Sequence, residues 1–169
     1  PTGEQTTEGY DLYRYSQDNA RLFGGEAKFE FRPVDWFDLR LSYSKTIGKQ
    51  DNRKNLPFIP QDKLRGSIRF EKGQWLIFQK PFVNFGADYA FKQNHPSRFE
   101  TSTEDYFLVD LQIGGSSNLF SQQIIYGITL DNLFDVKYID HLSTLKNLNY
   151  YNMGRNVVFW LKIPLNTDL

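Results

Sequence analysis

The sequence predicts an all-β fold, an antiparallel up-and-down meander that forms part of the wall of a transmembrane β-barrel. Three observations predict it: the aromatic content, an alternation of apolar and polar residues with period two, and connections that alternate in length. Aromatic residues make up 17% of the 169 residues, with 15 Phe and 10 Tyr. Such side chains suit a pleated, half-buried surface.

The period-two alternation begins at residue 27. Ala27, Phe29 and Phe31 fall on one face of an extended chain, while residues 28, 30 and 32 are Lys, Glu and Arg. The predicted strands are about as long as tilted strands that cross a bilayer, and longer than most soluble strands. The same pattern predicts about seven strands, at 27–32, 38–44, 63–71, 82–92, 107–113, 124–131 and 156–163.

The polar rows of these strands carry Lys, Arg, Asp and Glu side by side. Unpaired charges are costly in a dry core, so these rows must face bulk water or a wet lumen. A membrane barrel satisfies this requirement with a polar interior and an apolar exterior. The alternative is a soluble or periplasmic β-barrel or β-sandwich binding module without a transport role, with its charged rows outside.

The connections favour the membrane barrel because shorter and longer segments alternate. Residues 33–36, 73–80 and 116–123 are the shorter connections, whereas 48–62, 93–105 and 135–154 are long and polar. Outer-membrane barrels have short periplasmic turns and long extracellular loops. Aromatic residues near predicted strand ends fit a girdle at the headgroup level, namely Trp36, Phe37, Trp75, Phe78, Tyr106 and Trp160.

Composition argues against several other function classes. Twenty basic residues balance twenty acidic ones, so no net positive charge attracts nucleic acid. The chain has no cysteine, and its two histidines, His95 and His141, are far apart in sequence, so we expect no pre-built metal site. No serine, histidine and acid arrangement suggests a catalytic triad, and residues 114–117 lack the lysine of a phosphate-binding loop. We therefore expect no enzymatic activity and no cofactor.

Four segments resemble the barrels of TonB-dependent outer-membrane receptors. They are 20–26, preceded by Tyr13-Arg14-Tyr15, then 56–60, 131–138 and 151–159. The third holds an Asn-Leu-Phe followed by a Tyr, and the last a Gly-Arg entry to a closing strand. The resemblance implies structural roles for Gly24, Glu26, Asn132, Leu133, Phe134, Tyr138, Gly154 and Arg155.

This resemblance implies a C-terminal portion of a plugged, 22-stranded barrel in the outer membrane of a Gram-negative bacterium. It also implies import of a scarce nutrient, a ferric siderophore foremost, with haem or cobalamin as alternatives. The implied partners are outer-membrane lipid, the TonB energy-coupling complex, and a plug domain outside this chain. We expect a polar N-terminal segment at 1–21, barrel strands at 22–165, and a short tail at 166–169. That tail departs from the aromatic terminus usual in the family.

Ligand contacts are expected in the long loops. Cationic and phenolic side chains there could bind a small-molecule metal chelate of negative charge through charge and hydrogen bonds. The alternative is that they are ordinary loop residues. The candidates are His95, Arg98, His141, Lys146, Tyr150, Tyr151 and Arg155.

Overall fold

The computed structural model describes residues 4–12, 19–51, 54–98, 100–119 and 122–164. Within these ranges the chain forms one antiparallel sheet in the order β1-β2-β3-β5-β6-β7-β8, with the short β4 beside β5. The seven long strands confirm the predicted meander, and in the described ranges β1 and β8 do not pair, so the sheet is open. The strands are β1 (Ala20–Val34), β2 (Phe37–Gln50), β3 (Lys63–Glu71), β4 (Gln74–Trp75), β5 (Phe78–Ala90), β6 (Tyr106–Leu119), β7 (Gln122–Asp131) and β8 (Asn156–Lys162).

The strand register aligns the apolar rows predicted from the alternation. Phe31 lies opposite Leu39, and Leu39 lies opposite Ile68. The same row then continues across the sheet through Phe85, Leu111, Leu130 and Val157. A residue and its partner across an antiparallel pair point to the same side, so one face of the seven long strands is apolar over most of its length. Arg21, Lys45 and Lys49 lie on the same side only near the start of β1 and the end of β2.

Within the described ranges, no second layer packs on this apolar face. Only two hydrophobic side chains are buried in the described part of the chain, Phe82 and Ala90. By contrast, Phe159 is 75% exposed and Phe107 is 52% exposed. The sheet thus lacks the two-layer core of an ordinary soluble domain.

The opposite face carries paired charges. The Arg40 Nε lies 2.9 Å from an oxygen of Asp38, and the Arg65 Nε lies 2.9 Å from an oxygen of Asp88. Exposed pairs of this kind contribute only about 0–1 kcal/mol each. Their importance here is that they mark this face as one that contacts water.

Four features differ from the sequence prediction. Residues 116–119 and 122–123, predicted as parts of a connection, belong to β6 and β7. β1 begins at Ala20 rather than residue 27, because Gly24 and Gly25 interrupt the alternation without ending the strand. The connection at 73–80 contains a hairpin, in which Gln74–Trp75 pairs with the start of β5. Tyr106 and Trp160 lie in the polar rows, opposite the apolar face where a headgroup girdle would be.

The meander separates the two kinds of connection. The shorter ones, including residues 35–36 and the hairpin at 74–79, lie at one end, which we call the short-turn end. The long ones lie at the other end and are called loop A (51–62), loop B (91–105) and loop C (132–155). Loop C contains one turn of 3₁₀ helix at Lys146–Leu148, and no helix in the described ranges is long and apolar enough to cross a membrane. Residues 13–15 and 165–169, on which part of the resemblance and the expected tail depend, lie outside the described residues.

Candidate ligand-binding cleft among the long loops

Loop A folds back onto the end of β2. The Leu56 N–H donates to the Gly48 carbonyl at 3.1 Å. Gly48 is buried, and a Cβ added to it would lie 2.5 Å from the Ile59 Cδ1 atom, so a larger residue would require the Ile59 and Leu56 side chains to shift. At Phe58, whose φ is +58°, the backbone N–H donates to the Glu100 carboxylate at 2.8 Å. The Leu-Pro-Phe-Ile-Pro segment thus joins loop A to β2 and to loop B.

Gln61 connects all three long loops. Its side chain is almost fully buried, with 4% exposure of the residue. The Nε2 group donates to the carbonyls of Phe91 and Glu104 in loop B, at 2.8 and 3.0 Å. The Oε1 atom accepts the backbone N–H of His141 in loop C at 3.1 Å. One amide therefore satisfies three backbone groups from two other loops.

The start of loop C is shaped by Asn132 and Asp135, which both have left-handed backbone conformations. The Asn132 side chain accepts from the Val136 N–H and donates to the Val136 carbonyl, both at 2.9 Å. Asp135 accepts the Arg155 N–H at 2.8 Å, and a Cβ on Gly154 would lie 2.6 Å from the same carboxylate. Two of the motifs that resemble receptor barrels, 131–138 and 151–159, therefore contact each other across loop C.

A buried polar cluster lies where loops B and C meet. The His141 Nδ1 atom is 2.7 Å from the Thr103 hydroxyl and 3.2 Å from the Lys146 Nζ atom. Lys146 also donates to the Thr101 carbonyl at 2.9 Å. An ammonium group can only donate, so Nδ1 must accept, and the neutral ring carries its proton on Nε2. That nitrogen lies 4.0 Å from the Glu100 carboxylate.

The environment shifts the pKa values of this cluster in directions that fit its geometry. Burial, and then the positive charge of Lys146, lower the pKa of His141 below its ordinary value of 6.5. Burial likewise lowers the pKa of the Lys146 ammonium group. For Glu100, burial acts to raise the pKa, but hydrogen bonds from Phe58 and Ser97 outweigh it and the pKa is lowered. His141 is thus neutral and Glu100 charged at neutral pH.

A cleft of about 1080 Å³ opens between the three loops. Among the described residues that line it, four cationic side chains stand against one carboxylate, that of Glu100, so with His141 neutral these residues carry a net charge of +3. The cations are Lys49, Lys54, Arg98 and Lys146. This composition suits a ligand of negative charge, because hydrogen bonds between charged partners are the stronger ones.

The structure brings together three of the seven ligand candidates. Arg98, His141 and Lys146 line the cleft, although His141 is 4% exposed and faces it only at the cluster. His95 lies in an adjoining cavity of about 370 Å³. The remaining three candidates do not line the cleft; these are Tyr150, Tyr151 and Arg155.

Sequence reasoning missed Lys49, Lys54 and Glu100. The two lysines could have been found, because both lie in the long polar connection predicted at 48–62, to which the criterion used for the other two long connections applied equally. No feature of the sequence indicated Glu100, since its carboxylate accepts the backbone N–H groups of Phe58 and Ser97 and lies near the ring of His141. The described residues contain no group of three or more His, Cys, Asp or Glu side chains that could hold a metal ion.

Comparison with known proteins supports the fold. No model of a protein family matches the sequence. Among solved structures, the chain is similar to one described as "Copper transporter OprC", with a TM-score of 0.72 and 21% identity. The match covers 88% of this chain and 24% of that chain, so this chain spans about a quarter of the transporter's length. The open antiparallel sheet therefore has the fold of a segment of that transporter.

Proposed function

We propose that this chain forms part of the wall of a TonB-dependent outer-membrane receptor that imports a scarce metal as an anionic chelate. The observation that carries the proposal is the apolar row that runs without interruption from Phe31 to Val157 across seven strands. A face of this extent, with no layer packed on it, matches the outward surface of a transmembrane barrel. The four motifs that resemble receptor barrels, and the likeness to a solved transporter, add support.

The charged face and the open edges support the same proposal. The pairs Arg40–Asp38 and Arg65–Asp88 suit a wet lumen, which a plug domain would occupy in such a receptor. Unpaired strand edges are not tolerated in hydrocarbon, so β1 and β8 require neighbouring strands to complete the wall. Energy coupling through the TonB complex would be supplied by a part of the protein outside this chain.

The cleft supports an anionic chelate as the substrate class. Four cations favour a carboxylate- or phenolate-rich ligand that encloses its metal, a ferric siderophore foremost. A bare copper ion would be expected to bind imidazole, thiolate or thioether ligands. The described residues that line the cleft include no cysteine or methionine, and their one imidazole, that of His141, has its Nδ1 atom occupied within the polar cluster. Haem and cobalamin are the alternative substrates, and the binding test compares them with the siderophore.

The membrane assignment is tested by the same substitution on adjacent residues of β6. Leu111 lies in the apolar row between Phe85 and Leu130, whereas Gln112 points to the charged face. Leu111→Arg should destabilise the full-length protein in bilayers by about 2–4 kcal/mol, and Gln112→Arg should have little effect. Denaturant titration of the protein refolded into lipid vesicles measures both. Equal losses in the two variants would contradict a lipid-facing apolar row.

The substrate assignment is tested by a matched pair of arginines in the long loops. Arg98 lines the cleft and Arg155 does not. Arg98→Gln should weaken binding of an anionic ferric siderophore by about tenfold or more, as expected when a charged hydrogen bond of about 1.5–3 kcal/mol is lost. Arg155→Gln should leave the affinity for the siderophore within about twofold of the value for the unchanged protein. Titration calorimetry with the siderophore, haem, cobalamin and Cu²⁺ measures the affinity of each variant for each ligand. A loss of affinity only in Arg155→Gln would place the ligand outside the cleft.

A further inference from the structure

One aromatic side chain, that of Phe58, is exposed in the cleft between the long loops. It is 71% exposed and carries the one phenyl ring among the described residues that line the cleft. The lining also has an apolar part, formed by Pro57, Phe58, Pro96 and Leu142. A single exposed phenylalanine is common on protein surfaces, so the exposure by itself indicates no function. The backbone that carries the ring is more informative.

The backbone of Phe58 has a left-handed conformation that bulky residues rarely adopt. Its φ is +58°, a region in which glycine or asparagine would be less strained. The Phe58 N–H donates to one oxygen of the Glu100 carboxylate at 2.8 Å, and the Ser97 N–H donates to the other at 3.0 Å. Both contacts use main-chain groups and the ring is exposed, so the loop packing depends on the backbone here rather than on the phenyl group. Strained positions of this kind concentrate at ligand-binding sites.

The segment that carries Phe58 is held on both sides. Pro57 precedes it and Pro60 follows shortly after, and proline fixes its own φ. The Gln93 amide in loop B donates to the Ile59 and Pro60 carbonyls at 3.1 and 3.2 Å. Because the segment is fixed in advance, a ligand that contacts the ring does not have to order this loop on binding.

The cleft therefore offers an aromatic face together with positive charge. Arg98 and Lys54 line it with Phe58, and cations outnumber carboxylates by four to one among the described lining residues. A chelate with only aliphatic carboxylates would use the charges and leave the ring in water. A chelate whose donor oxygens are phenolates presents negative charge and an aromatic ring in the same group, so it can use both.

We propose that Phe58 selects, among anionic metal chelates, those whose oxygen donors are carried on aryl rings, by stacking against one of these rings. The inference rests on the proposed function and narrows its substrate class from anionic chelates in general to aryl chelates such as catecholates. Aromatic rings pair in offset or edge-to-face arrangements that add to the stabilisation from buried area. Phe58 is thus a residue that determines specificity, whereas the cations attract any anionic chelate.

A purely structural role for Phe58 is tested with Phe58→Asn. Asparagine adopts left-handed conformations with little strain, so it removes the ring while keeping the backbone N–H that donates to Glu100. Hydrogen exchange of amides in loops A and B of the full-length protein should be unchanged or slower in this variant. Faster exchange in both loops, with an unchanged preference among chelates, would mean that the ring supports the loops and would overturn the proposal.

The selection itself is tested with two gallium chelates of equal charge, the tris-catecholate and the tris-oxalate, of which only the first has aryl rings. Titration calorimetry measures their affinities for the full-length protein. Phe58→Leu should weaken binding of the tris-catecholate by about fivefold and leave the affinity for the tris-oxalate within about twofold. Phe134→Leu is the matched control and should change neither affinity, because Phe134 is 66% exposed in loop C and does not line the cleft.

The two levels of the inference fail in different ways. Equal losses for both chelates in Phe58→Leu, or no loss for either, would overturn the selection by Phe58 and leave the anionic chelate as the proposed substrate. Failure of the unchanged protein to bind either chelate would overturn the proposed substrate class, and the selection with it.

Discussion

Replacing Gln61 by Met should open the long-loop end while leaving the sheet intact. Methionine has nearly the same length and volume as glutamine, so the change removes hydrogen bonds without leaving a large cavity. The structure assigns three hydrogen bonds to the lost amide, to the Phe91 and Glu104 carbonyls and from the His141 N–H. At about 1 kcal/mol net for each bond, the closed arrangement of the loops loses about 3 kcal/mol. That corresponds to about a 150-fold increase in the open population.

Hydrogen exchange measured by mass spectrometry on the full-length protein in nanodiscs reports this opening directly. Amides of loops B and C should exchange about 150-fold faster in Gln61→Met, while amides in the middle of β5 and β6 should not change. Gln123→Met is the control, because Gln123 is exposed and its side chain makes one long contact of 3.4 Å with Ser116. Unchanged exchange in loops B and C, or equal acceleration in the sheet, would refute the view that Gln61 joins the three loops.

The remaining predictions concern pH, backbone and topology. In the folded protein the pKa of His141 is below its ordinary value of about 6.5. Between the folded pKa and about 6.5, His141 binds a proton only when the loops are open, so protons favour the open state. Protection of the loop amides from hydrogen exchange should therefore fall as the pH drops through this window. His141→Gln should flatten that dependence in exchange measured between pH 5 and 7.5. Gly154→Ala should lower the melting temperature of the protein, because its Cβ would lie 2.6 Å from the Asp135 carboxylate; unchanged melting would mean that the loop relaxes. A cysteine at Asn94 should react with an impermeant thiol reagent on intact cells and one at Asp35 should not, and the reverse pattern would invert the proposed orientation.

The sequence was sufficient for the meander and for its two faces. Side chains alternate across a strand as a local property of the extended backbone, so the apolar positions around Phe29, Phe85 and Leu111 could be assigned to one side without knowledge of any neighbour. The antiparallel pairing then aligned these rows across seven strands. The alternation of connection lengths likewise follows from the spacing of the strands in the sequence.

The composition of the cleft could be predicted only in part. Arg98 and Lys146 were found because long polar loops with cations are visible in the sequence. Lys49 and Lys54 required the same criterion to be applied to the predicted connection at 48–62. The burial of His141 could not be predicted, since its partners Thr103 and Gln61 are 38 and 80 residues away in the chain.

What the sequence by itself determined is the set of properties that depend on near neighbours along the chain: strand periodicity, the apolar and charged faces, and the lengths of the connections. The tertiary structure decided which loop residues meet, that the apolar run at Trp75 folds into an exposed turn, and that Tyr106 and Trp160 lie on the charged face. The physical reason is that loop contacts depend on the register of several strand pairs together. A shift of one residue in the pairing of β3 with β5, of β5 with β6 or of β6 with β7 would move Gln61 away from partners in loops B and C and exchange the two faces of a strand.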